Sequence, residues 1–234
     1  MTAGLSPVFA YLRHPTMVDF PGRLAAVFFT SGCNFRCGFC HNASLMGHIR
    51  PGLPWDKLEA AVHTFKKSWV TGVAITGGEP TLEPGLGALI RFFQERGLAV
   101  KFDTNGTRPE VLRELAPILD GVAMDVKASL AAYPELTGWT DTDTIRESIG
   151  IVKGLGEKGV LRTTIITPFH TDAMMREIGS LIDGAATYQM QAFVPRDDLP
   201  DPAFRTLART TTERLEALRD LMRPYAKNIL IRGG

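Results

Sequence analysis

The sequence predicts an α/β fold, an open, partial (β/α)6 TIM-like barrel that takes up the whole chain. Three observations predict it. Short apolar runs alternate with amphipathic stretches about six times, the pattern of right-handed βαβ units feeding a parallel sheet. Runs such as residues 24–29 (Leu-Ala-Ala-Val-Phe-Phe) are apolar throughout, as expected of strands covered on both faces. Glycine-rich or polar clusters follow one strand after another, and in this architecture those C-terminal ends share the face that carries an active site. The units are too few for a full eight-unit barrel.

Taken in order, residues 5–20 read as a strand or hairpin closed by the turn signal Pro21-Gly22, so that residues 1–22 form an N-terminal extension. The first barrel strand, 24–29, delivers the chain into a loop holding Cys33, Cys37 and Cys40. A helix follows over 55–69, with Pro54 before it and Leu58, Val62 and Phe65 at helical spacing. Strand 72–76 ends in Gly77-Gly78-Glu79-Pro80 and is followed by helix 86–97. Strand 98–103 ends in Asp103-Thr104-Asn105-Gly106, before helix 109–119. Strand 121–126 ends at Lys127, before a longer helix over 142–158. Strand 160–167 ends near Pro168-Phe169-His170, followed by helix 171–182 and strand 188–194. Residues 203–234 supply an amphipathic outer helix over 203–223, carrying Leu207, Leu215 and Leu218, and a short closing strand over 228–232. No composition shift or linker marks a boundary, so 1–234 reads as a single domain.

Composition excludes several functions. Of 234 residues, 44% are hydrophobic and 22% charged, which is ordinary for a globular chain. Basic and acidic residues number 26 and 25, and a net charge of +1 gives no support for a nucleic-acid or membrane-surface partner. No apolar run approaches transmembrane length, and the first residues lack the charged and apolar regions of a secretory signal. Three clustered cysteines make no disulfide framework, so a reducing, cytoplasmic setting is expected.

The cysteines are spaced C-x3-C-x2-C, with no other cysteine in the chain. Three thiolates in one tight loop suit a cubane iron–sulfur cluster, one thiolate per iron, leaving a fourth iron open to a chelating ligand. Two other readings stand beside it. The thiols are buried small hydrophobes, or His41 completes a Cys3His zinc set, although adjacent Cys40 and His41 leave less room than zinc ligands usually have.

The strand-end clusters carry their own chemistry. Gly77-Gly78 permits close backbone approach to a ligand, or is simply a turn before a helix. Asp103-Thr104-Asn105-Gly106 is a turn by composition. Asp125 and Lys127, two apart on a strand, face the same side, either to bind a ligand's polar groups or as a strand-end ion pair. Arg162 interrupts an apolar-to-threonine strand, pointing inward to an anion or outward to solvent.

Together these residues resemble the radical S-adenosylmethionine (SAM) family. The order Val-Asp-Phe-Pro-Gly, Cys-x3-Cys-x2-Cys-His-Asn, Gly-Gly-Glu-Pro-Thr, Asp-Thr-Asn-Gly and Asp-x-Lys is similar, over nearly the whole chain, to the glycyl-radical-enzyme activating enzymes. The short length and the lack of further cysteines resemble most the activating proteins of anaerobic ribonucleoside-triphosphate reductase. The resemblance implies the barrel of the radical SAM type, a [4Fe–4S] cluster on Cys33, Cys37 and Cys40, and SAM on its open iron. It implies that Phe39 packs near the adenine, that Gly77, Gly78 and Glu79 meet the SAM amino group, and that Lys127 and Arg162 meet its polar groups. Asp103, Thr104 and Asp125, with Asn105 in the same strand-end loops, match cofactor-binding positions. In pyruvate formate-lyase activase the first three of these also hold a monovalent cation beside the SAM carboxylate.

The implied reaction is reductive cleavage of SAM and abstraction of a hydrogen atom from a glycine Cα in a partner, with anaerobic ribonucleotide reductase as that partner. A low-potential donor such as flavodoxin or ferredoxin would supply the electron. The stretch Phe193-Val194-Pro195-Arg196-Asp197 has no histidine where pyruvate formate-lyase activase has one, which separates this chain from that enzyme. Two alternatives are a small-molecule radical SAM enzyme similar to 7-carboxy-7-deazaguanine synthase, and a zinc or electron-transfer module.

Overall fold

The structure is a computed structural model, and it describes residues 4–233. The outer limits of the predicted 1–22 extension and of the 203–234 segment, at Met1–Ala3 and Gly234, lie outside the described residues. Eight strands are hydrogen-bonded in sequence order: β1 Ala10–Tyr11, β2 Ala25–Thr30, β3 Gly72–Gly77, β4 Ala99–Thr104, β5 Gly121–Asp125, β6 Gly159–Ile165, β7 Ala185–Ala192 and β8 Ala226–Arg232. β2 to β7 are the six strands that the apolar runs predicted. The two flanking strands come from the N-terminal extension and the C-terminal segment. The helices are α1 Trp55–Lys67, α2 Leu86–Gln94, α3 Pro109–Leu115, α4 Tyr133–Thr137, α5 Thr142–Gly154, α6 Asp172–Ile182, α7 Pro202–Arg205 and α8 Thr212–Met222.

Two compact units, interleaved along the chain, make up the molecule. The first comprises residues 1–34, 44–104 and 113–122. In it β1 runs antiparallel to β2, with Ala10 opposite Phe29. β2 and β3 are parallel from Ala25↔Gly72 to Thr30↔Gly77, and β4 follows from Gly72↔Ala99 to Ile75↔Phe102. Helix α1 buries Leu58, Val62 and Phe65, and α2 buries Leu89, Ile90 and Phe93. Phe28 of β2 meets both helices, edge-on to Phe65 at 5.9 Å and tilted against Phe93 at 4.8 Å. Asp56 in the first turn of α1 and Lys66 and Lys67 in the last turn match the helix dipole.

The second unit comprises residues 35–43, 105–112 and 123–234. There β6, β7 and β8 are parallel neighbours, from Val160↔Thr187 and from Ala185↔Ala226. Along β6 burial alternates, with Leu161, Thr163 and Ile165 on one face and Arg162 and Thr164 on the other. Thr171 and Thr211 cap α6 and α8, accepting from the backbone N–H of Met174 and Arg214.

Three predicted helices end early or break. The 109–119 helix stops at Leu115 and tightens into a 3-10 turn containing Pro117, and the 142–158 helix stops at Gly154 before another such turn. The 203–223 helix is in fact two, α7 and α8. Asp201 caps the first and Thr211 the second, and between them buried Thr210 donates its hydroxyl to Ile165 O. Helix α4 lies in a stretch without helical periodicity and ends on Gly138 at φ +75.

Candidate active site

In the first unit, the chain leaving β2 turns at Gly32 (φ +82), donates from Gly32 N–H to Leu45 O (2.9 Å), and pairs Cys33 N–H with Gly47 O (3.0 Å). The end of β3 is pressed against it. A Cβ at Gly77, whose φ is +120, would stand 2.3 Å from Thr30 O, and one at Gly78 would stand 1.9 Å from Gly32 O. The close approach these glycines permit is therefore to the chain's own β2 end, locked by Gly78 N–H to Thr30 O (3.1 Å) and Glu79 N–H to Gly32 O (2.7 Å). Glu79 follows, fully buried. Its Oε1 accepts from Thr81 N–H at 3.1 Å, from the Thr81 hydroxyl at 2.5 Å and from the Thr104 hydroxyl at 2.8 Å. On β4, the Lys101 ammonium contacts the Asp103 carboxylate, and both side chains are buried.

The second unit carries the remaining predicted residues. Asn105 Oδ1 accepts from both the backbone N–H (3.0 Å) and the hydroxyl (2.8 Å) of Thr107, so its amide holds the turn that composition predicted. Gly106, at φ +81, offers its carbonyl to the Ser148 hydroxyl at 2.7 Å.

At the end of β5, Asp125 holds two cations. Lys127 Nζ is 2.9 Å from Oδ2, Arg162 Nε is in contact with Oδ1, and Arg162 Nη2 lies 3.3 Å from Oδ2. Arg162 therefore reaches inward to an anion, one of the two orientations the sequence left open. Burial pushes the Asp125 carboxyl up, but the two cations more than reverse this and hold it well below the usual carboxylate range. Burial likewise pushes Lys127 down, and Asp125 and Cys37 more than restore it.

The thiols of this unit share that field. Cys37 is buried and Cys40 half-buried. Burial pushes the Cys40 thiol up, while a backbone hydrogen bond from Asn42 and the charge of Lys127 act in the opposite direction. Phe39 is buried against Phe204 at 5.6 Å, and Lys127 Nζ stands 5.8 Å from its ring centroid. His41 stacks on Phe193, and its Nε2 lies 2.9 Å from Val194 O. That contact occupies one ring nitrogen and leaves Nδ1 as the atom through which a Cys3His set would have to act.

Two groups to which the sequence reading gave no role fix Lys127. Its backbone N–H donates to the Tyr133 hydroxyl at 3.0 Å, and its carbonyl receives the buried His170 Nε2–H at 2.9 Å. No periodicity marks Tyr133, and His170 is one histidine among five. Lys101 was also missed, although a lysine inside an apolar strand was a signal.

The chemistry of the donor set fits an iron–sulfur cluster: three cysteines within eight residues, none of them in a disulfide, with a lysine ammonium in electrostatic reach of two of them. Among the described residues no three His, Cys, Asp or Glu side chains stand together as a metal-binding group. Among the same residues no helix is long and apolar enough to cross a membrane.

Residues 27–182 match the family model of the radical SAM superfamily. The chain is 30% identical over 223 residues to a candidate glycyl-radical enzyme activating enzyme of Methanocaldococcus jannaschii, covering 92% of this chain and 91% of that one. It is 27% identical over 188 residues to the pyruvate formate-lyase-activating enzyme of Clostridium pasteurianum, covering 76% and 77%. Among solved structures, Streptococcus suis SuiB bound to its precursor peptide SuiA superposes with a TM-score of 0.66 at 16% identity. That superposition takes in 92% of this chain and 49% of SuiB, so the chain spans about half of SuiB's length, and the likeness is one of fold.

Proposed function

The chain belongs to the radical SAM superfamily, and from that premise we propose that it activates a glycyl-radical enzyme, with anaerobic ribonucleoside-triphosphate reductase as its partner. The observation that carries this reading is the likeness, from end to end, to a candidate activating enzyme. The family uses a [4Fe–4S] cluster and SAM. A cluster reduced by one electron from a low-potential donor would pass that electron to the sulfonium of bound SAM, and the carbon–sulfur cleavage, giving methionine and a 5′-deoxyadenosyl radical, would supply the hydrogen-atom abstraction from a glycine Cα.

In this proposal Cys33, Cys37 and Cys40 are the thiolate ligands. Gly77, Gly78 and Glu79 receive the SAM amino group, and Asp103, Thr104 and Asn105 line the adjoining strand end. Lys127 and Arg162, spread by Asp125, meet the polar groups of SAM, and Phe39 supports the adenine. What these side chains contribute is positioning. Asp125 keeps Lys127 charged and holds the Arg162 guanidinium in a fixed orientation, so neither cation reorganises when an anionic group arrives. We also propose that residues 1–234 act as one radical SAM domain in the cytoplasm, and that flavodoxin or ferredoxin is the electron donor.

The test is anaerobic reconstitution with iron and sulfide, reduction with dithionite, and assay of 5′-deoxyadenosine and methionine, with Cys37→Ala as the control. A cluster that never cleaves SAM would sink the radical mechanism. Electron spin resonance after mixing with an anaerobic ribonucleotide reductase then reads the glycyl radical. If SAM is cleaved but that radical does not form with any glycyl-radical enzyme supplied, a small-molecule substrate replaces the protein partner.

A further inference from the structure

Lys101 and Asp103 lie two residues apart on β4 and share a face, opposite Val100 and Phe102. Their side chains are in contact and only 7% and 10% exposed. The lysine's aliphatic stem passes over Gly121, where a Cβ would stand 3.4 Å from Lys101 Cγ and 3.5 Å from its Cβ. A lysine is almost never buried to this extent unless paired, and here the pair is formed with a carboxylate two residues along the same strand.

This arrangement does not fit a free monovalent cation. The resemblance to pyruvate formate-lyase activase gives such an ion to Asp103, Thr104 and Asp125. In this chain an ammonium already contacts Asp103, and a second cation there would face like-charge repulsion in a buried setting. The Thr104 hydroxyl is directed to Glu79 Oε1 at 2.8 Å. Within the second unit, Asp125 carries both Lys127 and Arg162. In each unit the carboxylate is already balanced by side chains of the protein.

We propose that the Lys101 ammonium is a tethered counter-cation at Asp103, occupying the role of a free alkali-metal ion, so that this chain binds SAM without one. The second half of this statement rests on the SAM-binding reading, and the first half does not. Lys101 is thus a positioning residue, holding the Asp103 side chain in its orientation.

The experiment uses the protein as purified and compares thermal unfolding in potassium, sodium and tetramethylammonium chloride at equal ionic strength. Wild type is expected to unfold within about 1 °C in all three. Lys101→Met, which leaves Asp103 without its ammonium, is expected to unfold several degrees lower and to be rescued by potassium or sodium but not by tetramethylammonium. The double variant Lys101→Met/Asp103→Asn should lose that selective response. A purely structural ion pair would give a destabilised K101M with no ion selectivity, and that result overturns the proposal.

Selective stabilisation of wild type by an alkali-metal ion overturns it as well, and this arm stands even if K101M fails to fold. SAM affinity of the reconstituted protein supplies a second readout. Wild type should bind equally in potassium and tetramethylammonium, and K101M about tenfold more weakly without potassium. An alkali-metal requirement in wild type would count against the tethered cation. Absence of SAM binding in every salt would instead refute the SAM reading and leave the unfolding arm to judge Lys101.

Discussion

His170 Nε2 donates to the carbonyl oxygen of Lys127 at 2.9 Å, and the same ring accepts the Ile166 N–H through Nδ1 at 2.9 Å. The second bond fixes the tautomer, because a nitrogen that accepts carries no proton. Burial is the largest influence on this imidazole and lowers its pKa. The unfolded chain therefore takes up a proton near pH ~6.5 while the folded chain does not, and stability rises with pH across that window. The contribution is fully present above the unfolded value and is lost as pH falls below it. Urea unfolding from pH 8 to pH 5 should show this decline. His170→Gln should flatten it at a cost of about 1–2 kcal/mol. An unchanged profile in the variant would show that the decline has another source.

The pair of cations on Asp125 gives a second expectation. Breaking a buried ion pair by removing one partner costs about 3–5 kcal/mol. Since Arg162→Met leaves Lys127 in place, the expected loss is nearer ~2 kcal/mol. Asp125 is held low, so its contribution is present above the ordinary carboxylate value and lost as pH falls through the folded value. Acid unfolding of the variant should begin at higher pH than that of wild type. Arg162→Lys keeps the charge but not the two-pronged contact, and should lie between the two.

Strands and side-chain orientations were not equally legible in the sequence. Strands β2, β3 and β5 were readable because buried parallel strands are nearly continuous apolar runs, while β4, β6 and β7 carry polar residues and were readable from the turns and helices that punctuate the series. Orientation was not readable. Whether Arg162 faced inward depended on the β6 register, visible only in the alternation of Leu161, Thr163 and Ile165 against it. Asn105 looked like a ligand residue by family order, and its Oδ1 also accepts from Thr107, a local preference that composition had already favoured. Tyr133 and His170 act through contacts with residues that no pattern of spacing couples to them, whereas Lys101, two residues before Asp103 on one strand, was open to the rule that paired Asp125 with Lys127. The break in the 203–223 helix reflects a tertiary bond, Thr210 to Ile165, that overrides helical propensity.

Two glycines in and beside the site should respond differently to alanine. At Gly78 the added Cβ meets backbone, Gly32 O at 1.9 Å and Gly32 C at 2.6 Å, in the stretch that leads to Cys33. At Gly38, between Cys37 and Cys40, it meets Asp201 Cβ at 2.7 Å and the Phe204 ring at 2.8 Å. The Phe204 ring can rotate away and the Asp201 Cβ can yield with the start of the short helix it caps, whereas the Gly32 carbonyl is held between two paired strand ends. Gly38→Ala should therefore fold with a penalty of about 1–3 kcal/mol. Gly78→Ala should be recovered largely as insoluble protein. Circular dichroism melts and soluble yield separate these outcomes, and equal behaviour of the two would contradict the close packing of β3 on β2.

Thr104 offers the sharpest test of how Glu79 is held. Glu79 is buried without exposure, and its Oε1 gathers three donors, one of which is the Thr104 hydroxyl from the neighbouring strand. Thr104→Val keeps the branching but puts a methyl where the hydroxyl was, so its effect reports the lost donor together with the apolar group set against the carboxylate. A hydrogen bond to a charged group contributes about 1.5–3 kcal/mol. Part of the loss should appear as stability and part as weaker SAM binding, since the carboxylate is left free to turn toward Thr81. Thr104→Ser restores the hydroxyl and should recover most of both. Calorimetric titration of the reconstituted variants with SAM, alongside urea unfolding, separates the two effects. If T104V binds SAM as wild type does while losing stability, Thr104 supports only the fold, and the Glu79 carboxylate does not need its partner on β4 to receive an ammonium group.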